Sequence, residues 1–201
     1  MALARTSLRR IHTRPDLIDS CAELLKSTWE CTKTERLPRL VAEESSGLPC
    51  SLVLIEHQEN SPDVVIGHVR LVTVTYPASP VSAYLEALCI HRSKQGMGLG
   101  NKMMLMAEKY AFETLGCKQV FMMMYESLRD FFERLSYQEY QTTTPETVGA
   151  NLLSQNKDAA NWSRNKPKDG WESAYDDGPI FSEDDMKQAG WIKMRKTLSP
   201  V

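Results

Sequence analysis

Glycines at 96, 98 and 100 stand directly ahead of an apolar-periodic run in HRSKQGMGLGNKMMLMAEKY (91–110). Inside a helix, glycine is worse than alanine by roughly 0.5–1 kcal/mol. Three of them at a helix start therefore mark a turn shaped for something other than helix stability. The preceding SAYLEALCI (82–90) reads as a strand, and Leu99, Met103, Met106 and Tyr110 then share one helical stripe that Gly116 ends. Amides at a helix start have no intrahelical acceptor and lie at the positive end of the dipole. Glycine lets an anion reach those amides with no Cβ in the way. The spacing is neither GxxxxGK[ST] nor GxGxxG, which disfavours a nucleotide P-loop and a dinucleotide fold. What stands here is QxxGxG, with Gln95, Gly96, Met97, Gly98, Leu99, Gly100 and Asn101 as the candidate cradle. A tight connection that binds nothing would use the same glycines.

The rest of the pattern alternates strands and helices. Ser7–Thr13 reads as an edge strand, and a helix follows with Asp16 as its cap and Leu17, Cys21, Leu24 and Thr28 on one face. SLVLIEH (51–57) and DVVIGHVRLVTVT (63–75) are two strands, KQVFMMMY (118–125) a strand covered on both faces, and SLRDFFERL (127–135) a helix. YQEYQTTT begins another strand and WIKMRKTL (191–198) closes the sheet. The expected class is α/β with α+β character: one domain, a twisted mixed sheet flanked by helices, and a polar insertion at about 145–190 between the last two strands.

Composition excludes several functions. A net charge of −2 speaks against bulk binding to nucleic acid or a membrane surface. No apolar run reaches the roughly 20 residues of a transmembrane helix. The basic start, MALARTSLRRIHTR, lacks the apolar segment of a secretory signal. Five cysteines without CxxC or Cys/His ligand spacing argue for reduced thiols and no metal. A cytoplasmic monomer is expected.

QxxGxG after a strand ending LCIHR, followed by a long amphipathic helix, resembles the coenzyme A pyrophosphate loop of GCN5-related N-acetyltransferases (GNAT). FFERLSY (131–137) resembles the FYxxLGF stretch late in those folds. The resemblance runs from about Leu8 to Tyr140 and returns at the final strand. It implies an acetyl-CoA-dependent enzyme whose third long strand splays from KQVFMMMY. Backbone groups of Leu88, Cys89 and Ile90 would then pair with the pantetheine arm like an added strand. Gln95 to Asn101 would cradle the diphosphate, and Ser127 would bond the cofactor's other side. Leu88 would supply an oxyanion amide and Glu86 the general base, with His68 and His91 as weaker candidates. Phe132 stands where the family often carries a general-acid tyrosine, which leaves Tyr125, Tyr137 or unassisted thiolate departure.

The acceptor side rests on WECTKTERLPRL (29–40), where Lys33, Arg36 and Arg39 make a cationic stretch in a slightly acidic chain. A solvated basic loop has the same composition. Within the family, Trp29 with Lys33-x-x-Arg36-Leu37, GHVRL (67–71) and LEALCI resemble the branch that acetylates the acidic N-terminus of processed actin. That resemblance implies Trp29, Lys33, Arg36, Leu37, Pro38 and Arg39 as substrate-binding residues and actin as partner. Profilin, an associate of that branch, would find no polyproline tract here. Lysine or a small amine as acceptor, and a non-catalytic actin-binding module, are the competing readings.

Overall fold

The computed structural model describes residues 5–29, 47–59, 61–74, 80–140 and 190–200. Seven strands form one mixed sheet: β1 (Arg5–Arg10), β2 (Cys50–His57), β3 (Val64–Thr73), β4 (Ser82–Ile90), β5 (Gln119–Tyr125), β6 (Gln138–Glu139) and β7 (Trp191–Thr197). Their order is β1-β2-β3-β4-β5-β7-β6. Among the described residues the α-helices are α1 (Ile18–Trp29), α2 (Leu99–Glu113) and α3 (Arg129–Arg134). Two compact units result, Met1–Leu71 with Ala87–Tyr110 and Val72–Glu86 with Ala111–Val201, so β3, β4 and α2 each contribute to both.

In the first unit, β1 and β2 pair antiparallel from Arg5↔His57 to Arg10↔Leu52, and β2 pairs antiparallel with β3 across a bulge at Leu54/Ile55. Strand alternation gives β2 two apolar faces. Val53 and Ile55 pack with Leu17, Cys21, Leu24 and Leu25 of the α1 side. Leu54, on the opposite face, lies toward Met103 of α2, since both border Gly67. Burying each such side chain is worth roughly 1.5–3 kcal/mol. Ser20 of α1 accepts the amide of Val65 at 3.1 Å, which fixes the helix against β3.

In the second unit, β4 starts parallel to β5, and β5 pairs antiparallel with β7 along its whole length, from Gln119↔Thr197 to Tyr125↔Trp191. Val72, Val74, Tyr84 and Phe121 form its apolar cluster. Just past the end of the short α3, Ser136 has a left-handed φ of 66°. There the Tyr137 amide returns to the Phe132 carbonyl at 3.0 Å. A non-glycine residue in that conformation costs roughly 1–2 kcal/mol. Ser136→Gly is therefore expected to stabilise the fold by about 1 kcal/mol, read as a higher urea midpoint. A midpoint that stayed put or dropped would mean the left-handed backbone carries no net cost.

The sequence reading needs correction at several elements. β1 is Arg5–Arg10, because Ile11–Thr13 already turn as a 3-10 segment. Asp16 does not act as a cap: its carboxylate receives Nε and Nη2 of Arg14 at 2.9 and 2.7 Å, and a 3-10 turn precedes Ile18. The buried stripe of α2 is Met103, Met104, Ala107 and Ala111, while Met106 and Tyr110 are half-buried. The 145–190 insertion, apart from Gly190, and residues 30–46 lie outside the described residues.

Candidate active site

The middle of β4 is where its character changes. Its register with β5 runs from Ser82↔Gln119 to Leu85↔Met122. Two residues further on, Ala87 takes a left-handed φ of 50°. A buried side chain holds it there: Nδ1 of His68, on β3, lies 3.0 Å from the Ala87 carbonyl oxygen. A carbonyl only accepts, so Nδ1 carries the proton. Gly67, next to His68, leaves room for Ile90 and Met103 to pack against β3. A Cβ there would come within 2.7 Å of Ile90 Cδ1 and 2.9 Å of Met103 Sδ. Ile66 accepts the His91 amide at 2.9 Å. Three consecutive residues of β3 thus set the path of Ala87 to His91.

The connection from β4 to α2 is pinned at three points. His91 Nδ1 bonds Ser93 Oγ at 2.9 Å and accepts the Ser93 amide at 3.3 Å, capping the single 3-10 turn Arg92–Lys94. Lys94 Nζ donates to both carboxylate oxygens of Glu56 on β2, at 2.6 and 2.8 Å. Gln95 Nε2 donates back to the Ile90 carbonyl at 3.0 Å. Between these anchors and α2, Gly96 and Gly98 have φ of 75° and 76°. A Cβ built on either meets no protein atom within 4 Å. Both glycines are therefore needed for the backbone conformation, and their Cα faces open onto free space.

The ladder of α2 begins with Lys102 N donating to Gly98 O at 3.1 Å. Gly98 thus occupies the cap position with no side chain to offer, and the amides of Leu99, Gly100 and Asn101 precede the first i→i−4 bond. No acid lies in this first turn. The arrangement can hold an anionic group against backbone amides, immediately past a strand end whose backbone is held in place by a histidine.

Other candidates fall elsewhere. Leu88 is half-buried, while Cys89 and Ile90 are buried. Glu86 is half-buried on β4, and Ser127 is exposed in the 3-10 turn Glu126–Leu128 of the second unit. Tyr84 has its phenol raised far above the ordinary value, by burial first and then by the charges of Tyr140 and Glu86. Burial likewise pushes Tyr140 up to about 12, partly offset by Arg195. Neither phenol is a base at neutral pH. Tyr137 is buried edge-on to Phe132, with ring centroids 5.6 Å apart, and Tyr125 packs on Trp191 at 4.3 Å. His91 serves the turn as a cap. Trp29 ends α1, whereas Lys33, Arg36, Leu37, Pro38 and Arg39 lie outside the described residues. Sequence reasoning offers His68 as a possible base and misses its bond to Ala87. The available signal is Gly67 in mid-strand, which marks a close backbone approach.

A model of the Acetyltransferase (GNAT) family matches residues 18–137. The chain belongs to that family. The chain is 30% identical over 127 residues to N-alpha-acetyltransferase 80 of Mus musculus, a match covering 62% of the chain and 39% of the relative. The chain thus spans about two fifths of that relative's length. Among solved structures it resembles an aminoglycoside 6'-N-acetyltransferase complexed with coenzyme A, with a TM-score of 0.57, 14% identity, and 97% and 98% of the two chains covered. NAA60 of Arabidopsis thaliana in complex with a bisubstrate analogue gives a TM-score of 0.55 at 13% identity, with 68% and 87% covered. At such identities the likeness is one of fold.

Proposed function

We propose that this acetyltransferase moves the acetyl group of acetyl-CoA to the α-amine of an acidic protein N-terminus, processed actin being the acceptor that the sequence resemblance favours. The observation that carries the reading is the left-handed Gly96–Gly98 turn, open on its Cα faces, with no side-chain cap ahead of the first amides of α2. In this reading the diphosphate lies against residues Gln95 to Asn101, with Gln95 serving mainly to tie the turn to Ile90. Leu88, Cys89 and Ile90 offer backbone groups to the pantetheine arm, and Ser127 bonds the cofactor. Trp29, Lys33, Arg36, Leu37, Pro38 and Arg39 form the acceptor wall. No metal takes part. The enzyme works as a cytoplasmic monomer.

The reaction is direct. The neutral amine nitrogen attacks the thioester carbonyl carbon, and the developing oxyanion is met by the Leu88 amide. The C–S bond then breaks, the coenzyme leaves as thiolate, and the proton lost from nitrogen passes to Glu86 directly or through water. An α-amine has a pKa near 7.7–8.0 against about 10.4 for lysine, so the lysine route needs roughly 3 kcal/mol more help. That difference suits a site whose base is the half-buried Glu86 carboxylate. A thiol of pKa near about 8.5 leaves without a dedicated acid, which fits Phe132 in the tyrosine position and Tyr137 in the core.

The identity to an N-alpha-acetyltransferase and the cationic stretch support the acidic terminus as acceptor. Charge-assisted hydrogen bonds are worth roughly 1.5–3 kcal/mol each, and about 1.4 kcal/mol is tenfold. Acetylation is measured on peptides that begin with Asp or Glu, on peptides that begin with neutral residues, and on blocked peptides with an internal lysine. Acidic termini are expected to lead, and Arg36→Glu to lower their kcat/KM at least about tenfold while sparing neutral ones. Equal rates on acidic and neutral termini would remove the acidic-acceptor reading. Turnover confined to the blocked lysine peptide would replace it with a lysine transferase.

A further inference from the structure

A second chain of polar side chains runs along the first unit, away from the glycine turn. The β1–β2 register sets Arg5 opposite His57, and Ser7, two residues along, shares the face of Arg5. Ser7 Oγ lies 2.7 Å from His57 Nε2, and His57 Nδ1 lies 2.9 Å from Asp63 Oδ1. The other Asp63 oxygen accepts Arg14 Nη2 at 3.0 Å. Chemistry gives the array a direction. An ionised carboxylate only accepts, so Nδ1 carries a proton; in the neutral ring Nε2 then has its lone pair toward the serine hydroxyl. The hydrogen bond from His57, and then that from Arg14, hold the Asp63 carboxyl below its usual range, which keeps it ionised. The group is not sealed: the His57 and Asp63 side chains are 31% and 23% exposed. Nucleophile, base and orienting carboxylate stand in hydrogen-bonding order with the correct ring nitrogens, the pattern by which a serine nucleophile is recognised on any fold.

We propose that Ser7 is a second acyl-accepting centre, a serine nucleophile activated by His57 and oriented by Asp63, that reacts with activated esters. Ser7 Oγ attacks the ester carbonyl carbon while its proton moves to His57 Nε2. The bond from carbon to the leaving oxygen breaks, the proton on His57 goes to that oxygen, and Ser7 is left as the acyl ester. Water, deprotonated by His57, then releases the acid and returns the proton to Ser7 Oγ. The setting of the nucleophile decides the substrate class. Ser7 lies on a straight edge strand, not on a sharp turn that would aim neighbouring amides at the tetrahedral oxygen. One oxyanion donor is worth roughly 10²–10³ in rate. Ser7 is accordingly suited to esters with good leaving groups, such as aryl acetates, and not to amides.

The full chain is treated with p-nitrophenyl acetate and, separately, with a fluorophosphonate, and adducts are located by peptide mass mapping. One adduct on Ser7 is expected with each reagent, absent in Ser7→Ala. The rate of acylation at Ser7 should fall roughly 100-fold or more in His57→Gln. Arg14→Gln, which removes the outer partner of Asp63 but leaves the three-membered relay, separates activation from simple stitching of β1 to β2. Labelling should persist in Arg14→Gln, with the cooperative melting of every variant checked alongside. Adducts scattered over several serines, no adduct at all, or equal loss of labelling in Arg14→Gln and His57→Gln would each overturn the proposal.

Discussion

Replacing Gly98 with valine is expected to weaken acetyl-CoA binding by about 100-fold or more while the protein remains folded. The fold tolerates the added atoms because a Cβ at this position meets no protein atom within 4 Å. What the chain does feel is the φ of 76°, a conformation that costs a non-glycine residue roughly 1–2 kcal/mol. Against a typical stability of about 5–15 kcal/mol, that is a tolerable loss. The ligand, in contrast, loses the space in front of the Leu99, Gly100 and Asn101 amides. Hydrogen bonds to a charged group contribute roughly 1.5–3 kcal/mol each, so two of them account for the expected factor. Calorimetric titration with acetyl-CoA, beside a thermal melt, reads both quantities. Undiminished affinity in a folded Gly98→Val would place the diphosphate elsewhere.

His68→Leu is the second substitution with a large expected effect, and it acts through Ala87. The side chain is buried and its Nδ1 donates to the Ala87 carbonyl at 3.0 Å. Leucine leaves that carbonyl without its partner, at a cost of roughly 1–3 kcal/mol. It also frees the left-handed residue just ahead of Leu88, whose amide is the proposed oxyanion donor. Loss of one such donor lowers kcat by roughly 10²–10³. The expected signature is a fall in kcat of that order with KM for acetyl-CoA changed far less, because the Gly96–Gly98 turn is anchored separately by Lys94 and Gln95. His68→Asn, which keeps a donor of similar reach, should recover part of the rate. A variant that loses stability but keeps wild-type kcat would reduce His68 to a packing residue.

The strands are legible in the sequence because their apolar periodicity is strong. β4 reads to its observed bounds, and β2, β5 and β7 to within one residue. The glycine turn is legible because its residue types answer a local need that no other side chain meets at positive φ. Three things are hidden. Capping at Asp16 looks plausible from spacing alone, yet Arg14 competes for the same carboxylate at 2.7 Å. The buried face of α2 depends on which residues the sheet lets approach. The grip of His68 on Ala87 joins positions 19 residues apart, and its local trace, Gly67 in mid-strand, marks a close approach without naming the partner. Ala87 itself gives no hint of its left-handed backbone, since alanine is ordinarily chosen for the opposite reason.

β6 and β7 lie side by side, with Glu139 opposite Met194 and the Tyr140 amide on the Lys193 carbonyl at 3.1 Å. The long polar stretch between them therefore leaves and re-enters the sheet at one place. Because those ends adjoin, the β6–β7 register is set by the two strands themselves and not by the number of residues that join them.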